Sequence, residues 1–429
     1  MNNFKLLILS LVFFCSLSFS IVVINDLTPS QTLEQTKFVL YGQNGYSGYV
    51  NVNSSVGAHM YFIFYESEKR DTNAPVVLWL QGGPGCSDEG GMLGENGPQL
   101  LDNDGNIYNN PYNWNKNTAL LYVDNPVGSG FSFVDKSNGY ATTETTVANE
   151  LYTLLSIFFE KIEKYTGNDL YIFGESYAGK YIPAIGSKII KSGNKLNLKG
   201  IGIGDGLTDP INQIPSYSEY AYATGLIDLK QKKAIEVKQA TAVESIKNGE
   251  YVTAADQLLD ISSTIGKLSG LDVYDIINKS SPSETALRKF MNSPAIQKTF
   301  KVDMKWTDCS SAPANGLYAD IARTIVPNVV TILNSGCKVI LYNGQYDLMI
   351  NLIGADTWIR KMNWKYSDEF CKAERSVWKV DNNVAGYVTN YKNLWQVVVR
   401  GAGHMVPYYV PKNSLDMLTR FIINQPFGE

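Results

Sequence analysis

The 429 residues carry 37 Lys and Arg against 41 Asp and Glu, a formal charge of −4, with 44% apolar and 18% charged residues. That balance excludes a disordered chain and provides no basic face for a nucleic-acid partner. The length suffices for one large domain with an insertion, or for two domains.

The N-terminus reads as a targeting segment. Lys5 precedes an apolar run over residues 6–14, continued by Ser, Leu and Phe to about Ser20. The run is short for a membrane span, and Ser18 and Ser20 have the size and spacing of a signal-peptidase site. Residues 1–20 are therefore expected to be a signal peptide. No later stretch reaches about 18 unbroken apolar residues, so no membrane association is expected after cleavage. Secretory entry makes the cysteines candidates for disulfides. Cys15 leaves with the leader, and Cys86, Cys309, Cys337 and Cys371 remain, an even set without zinc spacing. The only histidines are His59 and His404, which excludes a histidine-rich metal site. No cofactor or metal is expected. Asn53-Ser54-Ser55 and Asn278-Lys279-Ser280 are glycosylation acceptors in a secreted chain.

Residues 48–52 and 60–65 read as strands joined by a polar loop that contains His59. Residues 75–80, 119–123, 170–173, 199–203, 338–342 and 396–399 are short apolar runs without alternation, the pattern of strands buried on both faces. Helical periodicity separates them, as in 143–165 and in the stretch that follows Gly174 through Ile190. Strands alternating with helices predict a mostly parallel sheet covered on both sides. Residues 208–306 differ. Apart from the amphipathic stretches 230–246 and 251–268, they show few buried-strand runs. They are expected to form a mainly helical cap inserted into a core of residues 21–207 and 307–429, the rival being an independent second domain.

Ser176 lies in Gly174-Glu175-Ser176-Tyr177-Ala178-Gly179, between a buried strand and a helix. A tight strand-to-helix turn exposes a serine hydroxyl, as in the nucleophile elbow G-x-S-x-G, although here Ala178 stands at the last glycine position with Gly179 behind it. A structural serine capping the helix is the bland alternative. A nucleophilic serine needs a base. His404 follows the run 396–399, in Gly401-Ala402-Gly403-His404, at the edge of a parallel sheet where sites form. The base needs a carboxylate, and Asp347 follows the run 338–342. The order Ser176, Asp347, His404 is that of α/β-hydrolases. The N–H of Tyr177 and the turn Gly82-Gly83-Pro84-Gly85 are candidate donors to a developing oxyanion.

These stretches resemble the serine carboxypeptidase family, and within it the vitellogenic carboxypeptidase-like branch. The similarity rests on residues 79–87, 95–98, 124–132, 174–179, 204–206, 342–347 and 401–407, and it spans nearly all of the chain after the leader. It implies an α/β-hydrolase fold and cleavage of the C-terminal residue from peptides or proteins. It also implies Ser176, Asp347 and His404 as triad, with the N–H groups of Gly83 and Tyr177 as oxyanion hole. Gln81, Gly82, Glu95 and Glu175 would hold the substrate carboxylate; Gln81 stands where many members have asparagine. Close glutamates cannot both ionise cheaply, so Glu95 and Glu175 are expected to share a proton and to favour acidic pH. The resemblance pairs Cys86 with Cys309; Cys337 and Cys371 could pair with each other, and their pairing is left open. Two alternatives stand: an acyltransferase on the same scaffold, and a secreted binding or protective protein without activity. A lysosomal or vacuolar and an extracellular destination both fit, as do a monomer and a homodimer.

Overall fold

The computed structural model describes residues 33–277 and 283–428; the expected signal peptide and Asn278 lie outside them. The described strands are β1 (Leu33–Leu40), β2 (Gln43–Asn53), β3 (Ala58–Tyr65), β4 (Val76–Leu80), β5 (Gln99–Leu101), β6 (Ile107–Asn109), β7 (Ala119–Val123), β8 (Phe133–Val134), β9 (Leu170–Glu175), β10 (Leu198–Gly204), β11 (Lys338–Gly344), β12 (Arg375–Val380), β13 (Asn383–Tyr391) and β14 (Leu394–Val399). All but β5 and β6 join one sheet in the order β1-β2-β3-β7-β4-β9-β10-β11-β14-β13-β12, with β8 beside β3. The six central strands, β7 to β14 in that order, run parallel, and the outer ones are antiparallel.

The unbroken apolar runs follow from burial on both faces. In β4, Val76, Leu78 and Leu80 enter one hydrophobic core while Val77 and Trp79 enter another on the opposite side. Successive strand side chains point to opposite faces, so a strand wet on neither side needs no polar residue. The helices covering the sheet show the complementary pattern. Glu144–Lys161 buries Val147, Leu151, Leu154, Leu155 and Phe158 along one stripe, and the Thr143 hydroxyl caps its start by accepting from Thr146 N–H. This is an α/β-hydrolase fold, as expected.

Between β10 and β11, residues 208–306 contribute helices and one isolated bridge among the described residues. The two long helices, Leu229–Lys247 and Tyr251–Ser269, pack on each other and bury Ile235, Ala242, Leu258, Ile261 and Ile265. Asp228 and Gln231 form a reciprocal capping box at the start of the first.

Three expectations need correction. His59 lies within β3 rather than in a loop, with its ring stacked on Phe133 at 4.7 Å, because its strand pairs with β8 there. The antiparallel strands β12 and β13 stand between the two runs read as the last strands of the sheet. In the sheet they lie outside β14, with β12 at the edge, and both are partly exposed without the continuous apolar signature. Cys337 and Cys371 are both free: Cys337 is buried at the start of β11, while Cys371 is exposed on the helix Ser367–Lys372. Asn53 ends β2, and its side-chain oxygen accepts from the Ser55 N–H and hydroxyl.

Candidate active site

Parallel strands bring their C-terminal ends to one edge, and the residues singled out in the sequence gather there. Gln81 follows β4, Ser176 follows β9, Asp347 follows β11 and His404 follows β14. Gln81, Gly82, Gly83, Glu95, Glu175, Ser176 and His404 line one cavity of about 270 Å³. Asp347 lies behind His404, fully buried.

Ser176 has φ +62°, a left-handed conformation that a non-glycine residue adopts only where its surroundings enforce it. Here the Ser176 N–H donates to Gly204 O at 3.1 Å, and its carbonyl accepts from Gly179 N and Leu207 N at 2.9 and 3.0 Å. The helix Ala178–Lys191 starts immediately after the turn. Gly179 explains the departure from the usual elbow pattern: a Cβ there would lie 2.7 Å from Leu207 N in the loop after β10, so the close approach of the helix falls one position later. At Gly82, an added Cβ would lie 2.6 Å from Ser176 Cβ, 2.7 Å from Tyr177 N and 2.9 Å from Ser176 Oγ. The β4 turn thus comes against the serine with no room for a side chain.

His404 Nδ1 and Asp347 Oδ2 are 2.8 Å apart, and both residues are buried. Burial disfavours the imidazolium, but the charge and hydrogen bond of Asp347 outweigh it, so the His404 pKa lies above its ordinary value. The other ring nitrogen, Nε2, is buried without a partner among the described residues. The Tyr274 ring lies over the imidazole, centroids 4.8 Å apart, and the His404 N–H donates to Tyr274 O at 2.8 Å. Tyr274 belongs to the 208–306 segment and carried no sequence signal, since its contact forms only when that segment folds back on the sheet edge.

The opposite wall of the cavity is acidic. Glu95 and Glu175 are 2% and 1% exposed, which rules out charge dispersal into water. Gln81 Nε2 donates to Glu175 Oε1 at 2.9 Å, while its own Oε1 accepts from Trp79 Nε1 at 2.9 Å, so the amide orientation is locked. Glu95 sits in a π-helical turn, Met92–Asn96, a local irregularity that often marks functional positions. Burial, then the charge of Glu175, hold the Glu95 carboxyl well above the ordinary range. Burial raises Glu175 to about 7, against the lowering effects of His404 and the Gln81 hydrogen bond. Both carboxyls of the pair are thus held toward the neutral form.

Tyr177 turns its ring away from the cavity, its hydroxyl lying 3.2 Å from Glu144 Oε1 and 3.3 Å from Asp320 Oδ2. Cys86 is disulfide-bonded to Cys309, 223 residues away, and both line the cavity beside the Gly82-Gly83 turn. Leu93, Leu101, Leu287 and Met405 supply apolar wall. Of these four, Met405 is the sequence neighbour of His404. A serine in a strained turn, a buried Asp–His pair and a protonated carboxyl pair around one cavity suit acyl transfer beside a bound carboxylate.

The comparisons agree with this chemistry. Residues 36–424 match the serine carboxypeptidase family model. The chain is 36% identical to serine carboxypeptidase S10 family member 1 of Dictyostelium discoideum, over 88% of this chain and 94% of that one. It is likewise 36% identical to the human protein named probable serine carboxypeptidase CPVL, over 88% of this chain and 83% of that one. In fold it is similar to the crystal structure of Kex1Δp, a prohormone-processing carboxypeptidase of Saccharomyces cerevisiae. The TM-score is 0.79 at 24% identity, covering 89% of this chain and 92% of that one. With the match running through both the sheet and the cavity, the chain belongs to the serine carboxypeptidase family.

Proposed function

We propose that this serine carboxypeptidase cleaves the last peptide bond of its substrate through an acyl-enzyme on Ser176, and that it works best at acidic pH. The observation that carries the reading is the buried glutamate pair held with Gln81 on the wall facing His404. An ionised pair there repels a substrate's terminal carboxylate; a protonated pair donates to it.

In this mechanism His404 Nε2 takes the Ser176 hydroxyl proton as Oγ bonds to the scissile carbonyl carbon. Asp347 holds the ring by its Nδ1 proton and steadies the imidazolium. The N–H groups of Gly83 and Tyr177 receive the oxyanion. As the peptide C–N bond breaks, His404 returns the proton to the leaving amine, which departs as the free C-terminal residue. Water then repeats the sequence on the acyl-enzyme. Gln81, Gly82, Glu95 and Glu175 hold the terminal carboxylate, so only the last bond lies in reach of Ser176. The cap of residues 208–306 contributes Tyr274 and Leu287 to the pocket walls.

The pH dependence follows from the two sets of groups. His404 must be neutral to act as base, which sets the acid limb. A proton on the glutamate pair also removes negative charge facing His404, since Glu175 is among the groups raising its pKa. The base form therefore persists to lower pH. As pH rises through about 7, where Glu175 loses its proton, the wall becomes anionic and the substrate carboxylate is repelled. For a peptide with a free C-terminus, kcat/KM of the wild type is expected to fall above about pH 7, chiefly through KM. The Glu95→Gln, Glu175→Gln double variant is expected to lack that decline, because amides do not titrate. Steady-state profiles from pH 4 to 8 decide the matter: an undiminished alkaline decline in the double variant rejects the shared proton.

An acidic setting fits a chain that enters the secretory pathway and ends in a lysosomal or vacuolar compartment or outside the cell. No helix of the described residues is long and apolar enough to cross a membrane.

A further inference from the structure

Behind Asp347 lies a second buried carboxylate that the reaction as written above does not use. Asp205 follows β10, the strand between β9 and β11, and it is fully buried with φ +40°. Its N–H donates to Tyr342 O at 2.8 Å, fixing it to the neighbouring strand. Its Oδ1 accepts from Gly344 N at 2.9 Å and from Asn343 Nδ2 at 3.4 Å. Its Oδ2 has no protein donor among the described residues, and neither does Asp347 Oδ1. An oxygen of Asp205, an oxygen of Asp347 and a ring nitrogen of His404 all lie within 4.8 Å of one another.

Two dry carboxyl groups, each with one oxygen satisfied and one orphaned, have a simple resolution. A single proton placed between the orphans satisfies both oxygens and removes one of two like charges. Asp347 already accepts from His404, whereas Asp205 has only amide donors, so the proton resides on Asp205. We propose that Asp205, in its neutral form, is a positioning residue that donates a hydrogen bond to Asp347 and so orients the carboxylate that holds His404. The inference rests on the triad reading above and adds to it a fourth group.

The surroundings support a neutral Asp205. Burial, then the charge and hydrogen bond of Asp347, hold its carboxyl well above the ordinary range, and Glu175 adds to the rise. The titratable groups facing it are acids or phenols: Asp347, Glu175, Tyr342 and Tyr220, with His404 beyond Asp347. No cationic side chain is among the causes that shift it.

The proposal has two consequences. Neutral Asp205 withdraws charge density from Asp347 and so keeps the His404 pKa lower than Asp347 alone would set it. It also fixes the rotation of the Asp347 carboxylate about its Cβ–Cγ bond. Asp205→Asn retains a neutral donor and tolerates the left-handed backbone. Asp205→Gly removes the donor while adopting the same backbone freely.

Because the chain holds only two histidines, His404 can be titrated directly by NMR of histidine-labelled protein, independently of turnover. Rates are measured on a blocked amino-acid ester, which lacks the carboxylate that engages Glu95 and Glu175. Asp205→Asn is expected to leave the His404 pKa within about 0.3 unit of wild type and kcat within about threefold. Asp205→Gly is expected to raise that pKa by about a unit and to lower kcat by about 10- to 100-fold at unchanged KM, the scale of one lost hydrogen bond to a charge. A fall of a unit or more in the His404 pKa of Asp205→Asn would mean that an anion had been removed, and would overturn the proposal. So would an Asp205→Gly enzyme that titrates and turns over like wild type, or activity lost to a chelator and restored by a divalent cation, which would put a metal where the proton is assigned. If Asp205→Gly does not fold, the Asp205→Asn titration still decides. A fully active Ser176→Ala enzyme would reject the triad reading while leaving the His404 titration to judge Asp205.

Discussion

Replacing Ser176 with alanine is expected to lower kcat on a blocked dipeptide by about a million-fold, leaving the fold and the affinity for the peptide nearly unchanged. The hydroxyl is the only atom lost. The left-handed backbone at this position is enforced by the hydrogen bonds to Gly204, Gly179 and Leu207, none of which involves the side chain. Activity that survives must come from the oxyanion donors and binding alone, a residual of about a thousand-fold over water. Purified variant and wild type compared in one assay, with melting temperatures to check folding, give the answer. A loss below about tenfold would remove Ser176 from the chemistry.

The second large effect concerns Asp347. Asp347→Asn is expected to lower kcat about 10,000-fold with little change in KM. The carboxylate is fully buried and meets His404 Nδ1 at 2.8 Å, so it accepts the ring proton there and leaves Nε2 free to act as base. An amide nitrogen turned toward Nδ1 reverses that tautomer and puts the proton on the nitrogen facing the serine. It also removes the charge that steadies the imidazolium. The Ser176→Ala, Asp347→Asn double variant is expected to be no slower than Ser176→Ala alone, because the two act as one unit. Additive losses in that comparison would show that Asp347 acts elsewhere.

Much of this site was legible in the amino-acid order because it is built on buried strands. A strand wet on neither face announces itself as an unbroken apolar run, and β4, β9, β11 and β14 all did so. The residue just past each run then falls on one sheet edge, which is how Ser176, Asp347 and His404 could be placed before any coordinates. Less legible features depend on contacts between distant segments. The outer strands β12 and β13 are partly exposed and hold no unbroken buried run, so they resemble loops to a search for buried runs. Tyr274 reaches His404 only through the folding of the 208–306 segment. The π-helical turn that carries Glu95 has no periodicity of its own. Asp205 sat in a recognised stretch, Gly204-Asp205-Gly206, yet its meaning appears only when β10 and β11 lie side by side. Pairing Cys337 with Cys371 came from parity, and parity carries no geometry: one thiol is buried at the start of a strand and the other is exposed on a helix.

In the proposed mechanism the carboxylate wall is what makes the enzyme a carboxypeptidase rather than another acyl-transferring serine enzyme, and one comparison addresses it directly. At about pH 5, kcat/KM is measured for a blocked dipeptide with a free C-terminal carboxylate and for its C-terminal amide. The Gln81, Glu95 and Glu175 arrangement predicts that the acid is cleaved at least about 100-fold more efficiently, since each hydrogen bond to a charged group contributes about 1.5–3 kcal/mol. Equal turnover of acid and amide, or cleavage within the interior of a longer peptide, would contradict the account.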